Sequence, residues 1–212
     1  SYTFKSSKAG TITYGGNCSS DNTSATADNN TITFTTLSDG TYSNCSLYVT
    51  SSTGVKGKTL SVTSFTVDTT APSVSSFTIS DTELKAGDNA TVSLVFSEAV
   101  ASFSSSADIT ADNGTIATMT SADNITWTGT FTPTANTEEA SNTLSLATSY
   151  TDTAGNAGPT ATTANYTVDT LLPTVNSVAI SSASGVQNSL LNAGDNVSVT
   201  ATFSESVIVD NA

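Results

Sequence analysis

No histidine occurs in the 212 residues, which removes the ordinary serine triad and every zinc site built on imidazole. Arginine is absent too. Five lysines stand against 18 acidic residues, a net charge of -13, so nucleic acid is not an expected partner. No Gly-x-Ser-x-Gly elbow, phosphate loop or catalytic cysteine pair is found. The one adjacent acidic pair, Glu138-Glu139, lies in an extended stretch where neighbouring side chains point apart. The chain reads as non-enzymatic. No stretch has the length and apolarity of a transmembrane helix or the layout of a signal peptide, so no membrane insertion is expected. With a single tryptophan, Trp127, read as core, a carbohydrate-binding module that presents exposed aromatics is the least supported function.

Cysteine is almost absent. Cys18 and Cys45 are the only two, and an even count in an acidic, Ser/Thr-rich chain favours a disulfide and an oxidising compartment over two buried thiols, the alternative.

What the chain does have is repetition. Val67-Asp68-Thr69-Thr70-Ala71-Pro72 returns as Val168-Asp169-Thr170-Leu171-Leu172-Pro173, a period of 101 residues from Asp68 to Asp169. A period that long marks domains in series. Leu84 to Val100 likewise matches Leu191 to Val207 at an offset of 107, so six extra residues fall within Ser182 to Leu190 and are expected to lengthen a loop. Three units follow: an incomplete or variant unit over 1–67, a complete one over 68–168, and the front part of a third over 169–212.

Runs of alternating polar and apolar residues, bounded by Gly, Asn, Asp and Ser, recur about every ten residues along the chain, the pattern of a β-sandwich. Nothing reads as helix. The fold class is all-β, as tandem immunoglobulin-like sandwiches. In the first unit strands are predicted at Tyr2 to Lys5, Thr11 to Tyr14, Thr31 to Thr35, Cys45 to Thr50 and Thr59 to Val67. The last changes phase near Ser64, which predicts a bulge or kink there. Asp39-Gly40-Thr41-Tyr42 resembles a tyrosine corner. The second unit shows seven candidate strands, among them Ala107 to Thr110 and Thr126 to Phe131, and the third shows Val175 to Ile180, Val197 to Phe203 and Val207 to Val209.

Sandwich topology brings the second-to-third and sixth-to-seventh loops back to the pole where a unit begins. In the second unit these loops carry Glu98 and Thr151-Asp152-Thr153-Ala154-Gly155-Asn156, and both face Asp68. Asp68, Glu98, Asp152 and Asn156, with the carbonyl of Ala154, form an all-oxygen set suited to calcium. Asp-x-x-Gly-Asn is also an ordinary turn, and acidity by itself keeps a protein soluble. Asp169 and Glu205 would start a second, incomplete site. In the first unit the corresponding loop, Ser51 to Lys58, carries lysines in place of acids, and a site at that pole is expected to be lost.

Val-Asp-Thr-Thr-Ala-Pro, Ala-Gly-Asp-Asn, Phe-Ser-Glu-Ala-Val and Thr-Asp-Thr-Ala-Gly-Asn, in that order, resemble the bacterial immunoglobulin-like repeats of very large secreted adhesins of the RTX type. The resemblance implies export to the surface of a Gram-negative bacterium, neighbouring domains of one array as partners, calcium at their junctions, and a role as spacer. A filament or sheath subunit that self-associates through incomplete terminal units is the alternative.

Overall fold

The computed structural model describes residues 1–187 and 190–210. Among the described residues the fold is all-β apart from one helical turn. Its first part holds β1 (Tyr2–Ser6), β2 (Gly10–Gly15), β3 (Ser24–Ala25), β4 (Asp28–Ile32), β5 (Gly40–Tyr42), β6 (Ser46–Ser51), β7 (Leu60–Ser61) and β8 (Phe65–Val67). These pair as β1–β4, β3–β2–β6–β7 and β5–β8. The phase change at Ser64 marks more than a bulge: β7 bonds to β6 and β8 to β5, so the chain leaves one sheet for another there. The strand expected at Thr31 to Thr35 ends at Ile32. Two apolar clusters form the core. One gathers Phe4, Ile12, Ala25, Ile32 and Leu47. The other surrounds Cys18, Cys45 and Val62 with the stacked rings of Tyr2, Phe34, Phe65 and Tyr42. The Tyr42 hydroxyl donates to the Ser38 carbonyl at 2.9 Å, the backward bond that defines a tyrosine corner.

The second part holds β9 (Val74–Ile79), β10 (Glu83–Lys85), β11 (Ala90–Phe96), β12 (Val100–Ala101), α1 (Ser105–Asp108), β13 (Ile109–Ala111), β14 (Gly114–Ile116), β15 (Thr126–Pro133), β16 (Glu138–Asn142), β17 (Leu144–Leu146), β18 (Thr151–Asp152), β19 (Ala161–Thr162) and β20 (Tyr166–Asp169). One sheet runs β14–β15–β11–β9, while β13–β17–β19, β12–β18 and β10–β20–β16 supply the opposite layer, an arrangement similar to that of the immunoglobulin constant-type sandwich. Alternation along β11 sends Ala90, Val92, Leu94 and Phe96 inward and leaves Thr91 outside. They meet Phe131, Leu144, Leu146, Tyr150, Tyr166 and Val168 in one core. Trp127, expected there, faces the core but is only half-buried: it stands opposite Leu94 across the β11–β15 pair and lies edge-on to Phe103 at 4.8 Å. The reading that nothing is helical is corrected by α1, which takes the place of the strand start expected at Ala107. There the backbone N–H of Ser104 donates to Asp108 at 2.7 Å, and that bond closes the turn.

Beyond Asp169 the chain forms a hairpin of β21 (Val175–Ser184) and β22 (Asn196–Phe203). The added residues do not only lengthen a loop, since Ser182, Ala183 and Ser184 extend the ladder opposite Ser198, Val197 and Asn196. Every residue of β21 is exposed. The strand expected at Val207 to Val209 is absent: Ile208 is fully exposed, and without an adjacent strand to bond, apolar alternation alone forms no ladder. Asn188, Ser189, Asn211 and Ala212, which the third unit includes, lie outside the described residues.

Candidate metal centre at the junction of two units

The site is assembled by three backbone devices. Asp68 begins the linker and turns it, accepting the Thr70 N–H at 3.1 Å. Five residues on, Ser73 is tied to Ser97 in both directions, N–H to Oγ and N–H to carbonyl, each at 2.9 Å. That double bond brings the start of β9 against the turn that carries Glu98. β12 then pairs with β18, with Val100 opposite Asp152, and so delivers Asp152 to the same pole. One carboxylate oxygen each from Asp68, Glu98 and Asp152 lies within 4.8 Å of the others. No other cluster of three or more such ligands occurs among the described residues.

Asp152 is buried and holds its loop together. One oxygen accepts the N–H groups of Ala154, Gly155 and Asn156 at 2.8, 2.7 and 2.9 Å, and the other accepts the Asn156 side-chain amide at 2.8 Å. Gly155 has φ +101°, a conformation that glycine adopts without strain. The Asn156 amide also donates to the carbonyls of Asp68 at 3.1 Å and Thr70 at 3.3 Å. Asn156 thus acts as a bridge between loop and linker through its nitrogen, and Ala154 faces Asp152 through its N–H.

Sequence reasoning missed Asp39. It lies in the first unit and accepts from Thr69 N–H at 2.9 Å, Thr69 Oγ1 at 2.7 Å and Thr70 Oγ1 at 2.6 Å. The linker is therefore gripped from both units, by Asp39 on one side and Asn156 on the other. No local signal marks Asp39, whose partners are some thirty residues away.

The electrostatics follow from this geometry. Burial, and then the charges of Asp68 and Asp152, hold the Glu98 carboxyl above its usual range. For Asp152 burial pushes upward, but the Asn156 side chain and the three loop N–H groups outweigh it, and the net shift is downward. The hydroxyl bond from Thr70, followed by those from Thr69, lowers Asp39. A raised acid contributes stability that is present below its unfolded value and lost as pH rises through the folded one, whereas a lowered acid contributes stability that is lost as pH falls through the folded one. In chelator, lowering the pH from neutral towards the unfolded Glu98 value of 4.5 should first raise the melting temperature. Once the pH drops below the unfolded aspartate value of 3.8, melting should fall steeply. Calorimetry across that range reads both limbs, and a monotonic fall from neutrality would contradict the carboxylate repulsion.

The donor set fits a hard cation: three carboxylates, all oxygen, with no basic side chain among them. Asp169 accepts the Leu171 N–H at 3.3 Å, while one oxygen of Glu205 is buried without a hydrogen-bond partner. These two join no three-acid cluster among the described residues. The structure bonds Cys18 to Cys45, with Cα atoms 5.3 Å apart. No described helix is long and apolar enough to cross a membrane.

Comparison with known proteins yields little outside the second unit. No curated protein matches the chain. Among solved structures, the mixed-linkage glucan utilization locus protein SGBP-B of Bacteroides ovatus, in complex with a mixed-linkage heptasaccharide, is 15% identical. That match covers 82% of this chain but only 42% of that one, at a TM-score of 0.23, too low to carry an argument. Residues 68–168, the part of the chain that contains the three-carboxylate pole and the complete sandwich, match the family model of the bacterial Ig-like domain.

Proposed function

We propose that this segment is a non-enzymatic extracellular spacer of a large adhesin on a Gram-negative bacterial surface, stiffened at its unit junctions by calcium. The domain division is 1–67, 68–168 and 169–212. The observation that carries the reading is the convergence of Asp68, Glu98 and Asp152 on a linker that both flanking units already grip. These three carboxylates hold the ion, and Asn156 ties the linker at Asp68 to the loop that Asp152 organises. Bound calcium replaces repulsion with ligation and fixes the angle at which one unit follows the other. Extracellular sites of this kind bind at roughly 10⁻⁴ to 10⁻³ M, so they fill outside the cell and stay empty within it.

Scattering and melting of the whole chain in millimolar calcium and in chelator test this. Calcium should narrow the distribution of shapes and stabilise by about 1.4 kcal/mol when it stands at ten times the dissociation constant. Glu98→Gln is the sharper variant, because it removes a ligand without touching the loop that Asp152 organises. It should raise stability in chelator and abolish most of the calcium response. If calcium alters neither shape nor melting, the stiffened junction is wrong.

A further inference from the structure

Asn113-Gly114 is the only Asn-Gly pair in the chain, and the fold requires both of its members. The pair carries the chain from β13, in one layer of the second unit, to β14 in the other. Asn113 has φ +48°, in the left-handed region that asparagine enters more readily than most residues with a side chain. A Cβ on Gly114 would lie 2.1 Å from Cζ of the fully buried Phe131, so no larger residue fits. Yet glycine is the follower that makes an asparagine most reactive, because without a side chain its backbone nitrogen is open to the neighbouring amide carbon. Packing and turn geometry thus place a labile amide where neither residue is free to change.

In the folded unit that amide is held. Asn113 is exposed, but its Nδ2 donates to Oδ1 of Asn142 at 2.7 Å, and Asn142 is only 1% exposed. The Asn113 carbonyl accepts the Thr134 N–H at 2.9 Å. Asn142 is fixed in turn: its Nδ2 donates to the carbonyls of Glu139 at 2.9 Å and Tyr166 at 3.0 Å, and its N–H donates to Oδ1 of Asn165 at 2.9 Å. These bonds lie where the register of β16 against β20 shifts, between Glu139 and Asn142. The Asn113 amide completes the network that staples that irregular stretch.

We infer that Asn113 is a site of spontaneous deamidation, restrained by Asn142 while the unit is folded. When the turn opens, the Gly114 nitrogen bonds to Cγ of Asn113, and Nδ2 leaves as ammonia with the proton that the Gly114 nitrogen gives up. Water then opens the cyclic imide at either carbonyl and yields aspartate or isoaspartate at position 113. The net exchange is one water for one ammonia, with no enzyme or oxidant. A carboxylate now faces Oδ1 of Asn142, which has lost its donor and cannot turn its own nitrogen outward without abandoning Glu139 and Tyr166. Asp112 adds a like charge beside it. β20 is held by β16 on one side and β10 on the other, so conversion loosens one flank of the strand that leads to Asp169. Neither calcium nor the role of spacer enters this chemistry.

Peptide mapping of the oxidised 212-residue chain after incubation at mildly alkaline pH tests this, with the same chain unfolded in urea as the unrestrained reference. Position 113 should convert before any other asparagine of the folded chain, and roughly tenfold more slowly than it does in urea. Asn142→Ser withdraws the acceptor, so the rate at 113 should rise towards the urea value while the other asparagines keep theirs. Should that variant fail to fold, urea well below the unfolding midpoint supplies the same reading, since local opening should accelerate position 113 alone. Asn113→Asp imitates one product and should lower the melting temperature of the second unit by roughly 4 to 8 °C, with the first unit's transition unmoved. Conversion at 113 no earlier than at other asparagines overturns the inference. Equal rates in the folded and unfolded chain overturn it as well, because Asn142 would then restrain nothing, and unchanged melting of Asn113→Asp would show that the strand pair does without the amide.

Discussion

Replacing Cys18 and Cys45 by serine is expected to lower the stability of the first unit by about 3 to 4 kcal/mol on the chain-entropy model, for a closed loop of 27 residues. In a unit this small that is most of the margin. The two apolar clusters are modest, and one of them is centred on the bond itself. Without the cross-link, Val62 and the ring stack of Phe34, Phe65 and Tyr42 lose the fixed point they pack around. Two calorimetric transitions should be resolved in the oxidised chain, and the one belonging to residues 1–67 should fall by roughly 12 to 30 °C. The other should stay in place. Unchanged melting of the first unit would mean that its sheets hold without the cross-link. Loss of that unit also releases Asp39 from Thr69 and Thr70, so the junction should loosen even though none of its three converging carboxylates has changed.

Phe131→Ala should unfold the second unit with comparable force, at a cost of about 3 to 5 kcal/mol. Phe131 is fully buried on β15, pairs across to both Ala90 and Ile116, and meets the Tyr166 ring edge-on at 5.2 Å. Gly114 stands against the same ring and has no side chain that could fall into the void. Glu98 and Asp152 are delivered to their pole by β12 and β18, which belong to this sandwich, so a melted core should take the proposed calcium response with it. Denaturant unfolding followed by near-ultraviolet dichroism reads the loss. A midpoint within experimental error of the parent would show that the sandwich closes over the cavity.

The fold was legible where alternation was long and apolar. β11 buries every second residue, β15 turns every second residue at least partly inward, and the end of β9 keeps the same rhythm through Phe77 and Ile79, so their positions follow largely from alternation. β16 was not legible: Glu138 to Asn142 carries no apolar residue except Ala140, and it is a strand only because β20 lies beside it. Short segments such as β12 and β18 fail for a related reason, since two residues show no period. The phase change at Ser64 was visible as a break, but which sheet each half joins depends on distant partners. The meeting of Asp68, Glu98 and Asp152 was within reach because sandwich connectivity assigns each loop to a pole. The part played by Asn156 was not, since a side-chain amide reads equally as oxygen donor or nitrogen donor until its neighbours are known. Asp39 lay beyond reach altogether, because its partners are threonines of a linker that nothing local connects to it.

The pairing of β10 with β20 is parallel, with Glu83, Leu84 and Lys85 beside Thr167, Val168 and Asp169. The chain enters the second unit near Asp68 and leaves it at Asp169, so tension applied along an array pulls these two strands in opposite directions along their own length. Their hydrogen bonds are then loaded in shear and must fail together, rather than opening one after another like a zip. In the proposed role of a surface spacer, drag would be carried through every unit. In this unit the bonds of β10 with β20 are the ones set to bear it, ahead of the sheet that contains β9, β11, β14 and β15.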